Sequence, residues 1–126
     1  MLEGPSVRQP AGVGAPALDK RLERFVQRYI DSPLKLDIVR TVAHHPNRLY
    51  SLDELAVFTS GQPADLERAV IYLDQLGIVA AKRRQDGLMT GLSRSPVVRE
   101  MAVKLFRYTC NPGGHAKLAK LARRRP

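Results

Sequence analysis

Residues 51–79 read Ser51-Leu-Asp-Glu-Leu-Ala-Val-Phe-Thr-Ser-Gly-Gln-Pro-Ala-Asp-Leu-Glu-Arg-Ala-Val-Ile-Tyr-Leu-Asp-Gln-Leu-Gly-Ile-Val79, and their punctuation decides the fold. Ser51 is a good N-cap, and Glu54 three residues later completes a capping box, so a helix is predicted over about Leu52–Thr59 with Leu52, Leu55, Ala56 and Phe58 inward. Ser60-Gly61-Gln62 is a turn. Pro63 suits the first position of a new helix, where its missing N–H costs nothing. That helix runs to about Leu76 and buries Leu66, Ala69, Val70, Leu73 and Leu76, with Gly77 placed as a left-handed stop. The reading is helix, turn, helix, glycine stop, strand.

Downstream, Ile78–Arg84 reads as a strand, Gln85-Asp86-Gly87 as a tight turn and Leu88–Leu92 as the returning strand. Ser95-Pro96 opens another helix, in which Val97, Val98, Met101, Ala102, Leu105 and Phe106 share one face. Upstream, Pro33 to about His45 is helical through Leu34, Leu36, Ile38, Val39, Val42 and Ala43, and Tyr50 is a strand-like lead-in. Leu18, Leu22, Phe25, Val26, Tyr29 and Ile30 recur at helical spacing in an amphipathic helix over 18–30 that Asp31-Ser32-Pro33 ends. The predicted organisation is a flexible Gly/Pro-rich tail over 1–17 and one domain over 18–110. The domain has a core at 34–92 and flanking helices at 18–30 and 97–108. Residues 111–126 read as a basic tail or short helix.

The charge is unevenly placed. Residues 1–63 hold 8 Lys/Arg against 7 Asp/Glu, and residues 64–126 hold 13 against 5, so almost all of the net +9 lies in the second half. Such asymmetry points to a polyanionic partner. Cys110 is the only cysteine, which excludes an internal disulfide and a cysteine-rich metal cage. No apolar run approaches the roughly 18–20 residues of a membrane span, and the N-terminus lacks a signal peptide. The expectation is a soluble cytoplasmic protein with no membrane partner.

The order of elements over about Leu34 to Leu92 resembles the winged helix-turn-helix domains of bacterial and archaeal transcriptional regulators. The run from Leu66 to Val79 is the most telling, since it looks like the end of a recognition helix, its glycine stop and the start of the wing. The resemblance implies a mainly α fold with a small β-hairpin, flanked by N- and C-terminal helices. It also implies a DNA-binding transcriptional regulator and a homodimer, in which the apolar faces of the flanking helices at 18–30 and 97–108 pair two copies of the chain. The partner would be double-stranded DNA, with the recognition helix at about 63–76 in the major groove and the basic wing at about 78–92 on the neighbouring backbone. Carried onto this chain, the DNA-binding positions are Ser60, Gln62, Arg68 and Tyr72 around the helix, Lys82, Arg83 and Arg84 on the wing, and Arg94 beside it. Arg68 would read guanine, Gln62 adenine, and Ser60 would bond a phosphate.

Asp65 and Glu67 complicate this picture. They suit the positive end of the helix dipole, yet they repel phosphate, and Arg68 has either of them as a surface partner. The alternative is a winged-helix module that binds another protein inside a larger assembly. RNA binding through the basic tail ranks below both, because aromatic content is 6% and no stacking platform is visible. Cys110, His115 and the His44-His45 pair lack the clustered spacing of a metal site, and a buried structural cysteine is expected. No paired carboxylates, activated nucleophile or phosphate-cradling glycine loop indicates an enzyme or a cofactor; Gly12-Val13-Gly14 lacks the strand-loop-helix setting.

Overall fold

Asp19 caps the first helix. Its carboxylate accepts from the backbone N–H of Arg21 at 2.7 Å and of Leu22 at 3.4 Å, and the Arg21 bond foremost holds its pKa below the ordinary carboxylate value. The computed structural model describes residues 17–123. The helix, α1, covers Lys20–Tyr29 and α2 covers Pro33–His44, with Ser32 capping α2 and Pro33 at its start. The two-residue strand β1, Tyr50–Ser51, leads into α3, Leu52–Phe58. The expected capping box is present in full: Ser51 Oγ accepts from Glu54 N at 3.1 Å, and Glu54 Oε1 accepts from Ser51 N at 2.9 Å. That backbone bond, with Arg48 beside it, lowers the Glu54 pKa.

The helix after the turn, α4, covers Pro63–Gln75. Gly77 has φ +78°, a conformation that costs other residues. It lets Ile78 N–H reach back to Leu73 O at 2.9 Å and close the helix end. Strands β2, Val79–Arg84, and β3, Gly87–Leu92, form an antiparallel hairpin, and β1 adds to the free side of β3 to give the order β1-β3-β2. The hairpin turn differs slightly from the expectation. Gln85 and Asp86 fill it, and Gly87, at φ +113°, already pairs with Arg84.

Helix α5 covers Pro96–Thr109 and α6 covers Gly114–Arg123. The segment read as a basic tail or short helix is therefore helical, and Leu118, Ala119, Leu121 and Ala122 on it are buried. It packs on α1, α2 and α5. Arg124 and Arg125 lie outside the described residues, as do residues 1–16 of the tail expected over 1–17.

The core runs from Leu22, Phe25 and Val26 of α1 through Ile38 and Val42 of α2 to Leu66 and Leu73 of α4 and Leu105 of α5. Several positions differ from the sequence pattern. Phe58 is 50% exposed and Leu76 39% exposed, each standing at the end of its helix. Val97, placed on the apolar face of α5, is 63% exposed at the helix start. Cys110 is exposed at the C-cap of α5, not buried. The apolar faces of α1 and α5 that were expected to pair protomers are occupied by the chain itself: α1 packs on α6 and α5, and α5 packs on α2. No helix among the described residues is long and apolar enough to cross a membrane.

Candidate nucleic-acid interface

The N-terminal end of α4 is open. Gln62 is its N-cap by position, but its side chain makes no capping bond, and Ser60, Gln62, Ala64 and Asp65 are all exposed. A helix start with free N–H groups and polar residues is suited to approach an anion or a base edge. Arg68 is exposed one turn further on, with its guanidinium ion-paired to Asp65. Tyr72 is half-buried against the core, and Lys35 Nζ lies 3.7 Å from its ring centroid in a cation–π contact. The aromatic ring thereby packs beside Lys35 of α2.

The basic run on the wing does not form one patch. Side chains alternate along a strand, so Lys82 and Arg84 face one side of the sheet and Arg83 the other. Arg83 turns toward α4 and pairs with Glu67 at 2.8 Å. Asp74, near the end of α4, accepts from the edge N–H of Ala81 at 3.0 Å and ties helix to wing. Lys82 and Arg84 face the opposite side, where Arg94 stands in the loop before α5, Arg99 in the first turn of α5 and Arg48 in the loop before β1. The structure thus brings Lys82, Arg84 and Arg94 together and separates them from Arg83, Arg68, Gln62 and Ser60.

Both acids that complicated the sequence reading have partners. Asp65 and Arg68 are an i,i+3 pair, as one of the sequence alternatives held. The Glu67–Arg83 pair spans 16 residues and was not anticipated, since only the hairpin's position brings Arg83 over α4. Exposed pairs of this kind contribute roughly 0.2–1 kcal/mol each, so a phosphate can compete for either arginine. Sequence reasoning also missed Arg48 and Arg99. Arg99 Nη2 donates to Asn47 Oδ1 at 2.9 Å and Pro46 O at 3.4 Å, and Nη1 donates to Ser93 O at 3.2 Å. No local signal links residues as far apart in sequence as Asn47 and Arg99.

His115 meets Asp37 at 3.0 Å, His44 stacks on Phe106 at 4.6 Å between centroids, and Cys110 stands apart at the end of α5. No group of three or more His, Cys, Asp or Glu side chains among the described residues is placed to hold a metal ion.

A helix pair joined by a short turn, followed by a two-stranded wing and supported by flanking helices, defines the class: the chain folds as a winged helix. Solved structures agree. The chain is similar to reduced HlyU from Vibrio cholerae, with a TM-score of 0.58 and 20% identity, covering 72% of this chain and 93% of that one. It is also similar to the transcriptional repressor BigR from Xylella fastidiosa, with a TM-score of 0.57 and 19% identity, covering 72% of this chain and 88% of that one. No protein-family model matches the sequence, and no curated protein matches it.

Proposed function

We propose that this chain is a DNA-binding transcriptional regulator that presents α4 to the major groove and the wing to the flanking backbone. The observation that carries the reading is the open start of α4 beside a wing whose Lys82 and Arg84 have no carboxylate partner among the described residues. Ser60, Gln62 and Arg68 are the proposed groove contacts, and Lys82, Arg83, Arg84 and Arg94 the proposed phosphate contacts. Tyr72 is left out, since its ring is held in packing. That BigR is a transcriptional repressor supports the same reading. Mobility shift with mixed-sequence duplex is expected to show binding at low salt that weakens steeply as salt rises, through counterion release. Absence of a shift even at low salt would overturn it.

We extend the proposal to a homodimer, the arrangement that lets two recognition helices read successive half-sites. With the buried faces of α1 and α5 already in use, exposed Val97 on α5 is the supporting apolar residue. Sedimentation velocity should give twice the 14.0 kDa chain mass, and a monomer at the concentrations that bind duplex would contradict pairing. A second reading, a protein-interaction module, is favoured by Val57 and Phe58, which stand 80% and 50% exposed beside the turn. Co-purification of a protein partner together with absent duplex binding would decide for it.

A further inference from the structure

The sheet face turned away from α4 forms the floor of a cleft of about 250 Å³. Ala80 and Gly91, register partners on β2 and β3, make that floor low. A Cβ at Gly91 would stand 2.8 Å from Leu49 Cδ2, so the neighbouring loop already lies against the bare glycine. Lys82 and Arg84 rise from β2 on one side, Arg94 from the loop before α5, Arg99 from the first turn of α5, and Arg48 from the loop before β1. Among the described residues, five cations therefore line the hollow, and no carboxylate does.

Of these five, only Arg48 has a carboxylate partner among the described residues, Glu54 at 2.8 Å. Arg99 is half-buried and held by three neutral oxygens, which fix its guanidinium without cancelling its charge. Lys82, Arg84 and Arg94 form no ion pair among the described residues. The chain pairs other surface cations, as in Lys35–Asp31, Arg68–Asp65 and Arg83–Glu67. Like charges gathered into a concave site repel one another, and that repulsion is relieved when an anion enters.

We propose that this cleft binds a small phosphate-bearing anion. Guanidinium forks match phosphate oxygens in bidentate geometry, and several cations favour a ligand with more than one negative charge. The volume lies just below the roughly 300–1,000 Å³ of sites for drug-sized ligands, which suits a pyrophosphate or a sugar phosphate. A duplex meets protruding side chains, whereas Arg99 is half-buried and held in the wall of a hollow. Lys82, Arg84 and Arg94 are shared with the proposed duplex contacts, so occupancy lowers duplex affinity. That consequence rests on the DNA reading; binding of the anion does not.

Calorimetric titration of the full chain with pyrophosphate, without DNA and against a sodium chloride control of equal ionic strength, tests the proposal. Saturable uptake of about one pyrophosphate per chain is expected. Replacing Lys82 and Arg94 together by Ala should weaken it by about tenfold or more, since charge-assisted bonds are removed. Ala80→Leu fills the floor but keeps every charge, and should cause a comparable weakening. Replacing exposed Lys20 and Arg24 on α1 by Ala removes the same charge away from the cleft and should leave affinity within about twofold. Absence of saturable uptake overturns the proposal, as does unchanged binding in the Lys82/Arg94 variant or equal weakening in the α1 variant. Should Ala80→Leu fail to fold by circular dichroism, the two charge variants decide the matter.

Discussion

In the proposed binding mode, Glu67 sets how much of the wing is available to a polyanion. Its carboxylate holds Arg83 at 2.8 Å, with the arginine side chain 65% and the glutamate side chain 41% exposed. The pair is weak enough to open, yet in the closed state it cancels the one wing cation that faces α4. Glu67→Gln keeps the size and an acceptor but removes the charge. Duplex affinity by fluorescence anisotropy at fixed salt should then rise by roughly 3–10-fold, about the gain of one phosphate contact and the removal of one repulsion. Unchanged affinity would mean that Arg83 does not approach DNA. The Asp65–Arg68 pair was within reach of sequence reasoning because i,i+3 neighbours meet on any helix. The Glu67 pair was not, because it depends on where the hairpin folds back.

At the scale of elements, α6 separates what local pattern reveals from what it does not. The capping box at Ser51, the proline at 63 and the glycine at 77 are local signals, and each stands where the sequence placed it. Helix α6 has only ten residues and a narrow apolar stripe, and isolated helices under roughly 12–15 residues are marginal in water. Its helicity depends on the groove that α1, α2 and α5 provide, which the sequence does not display. Gly114 permits the docking, since a Cβ there would stand 1.9 Å from Tyr108 O. Leu118 is fully buried, and Leu118→Ala should destabilise the chain by about 2–5 kcal/mol in chemical denaturation. Lys117→Ala, on the exposed side, should stay within about 0.5 kcal/mol. Equal, small effects would mean that α6 is not docked. The wing shows a similar divide: strand positions were legible, but alternation sends Lys82 and Arg84 to one face and Arg83 to the other.

Across the whole molecule, the excess of positive charge is an arrangement of surfaces more than a property of the second half. Around α4, Asp65 and Glu67 are matched by Arg68 and Arg83. On the outer face of the sheet, Lys82, Arg84, Arg94 and Arg99 stand without carboxylates among the described residues. The order of elements was legible because caps, breakers and periodicity are short-range. The site was legible only in part, since Arg48 and Arg99 join it through tertiary folding. In the proposed binding mode the wing carries most of the polyanion grip, and α4 adds contacts once its ion pairs open. The most direct measurement is duplex affinity against salt for the native chain and for the chain with Lys82, Arg83 and Arg84 replaced by Ala. The native chain should show a steep linear fall of log K with log salt, and the variant a slope shallower by about 2–3, near 0.9 for each phosphate no longer neutralised. An identical slope in a folded variant, or no duplex binding by the native chain at low salt, would contradict this mode of binding.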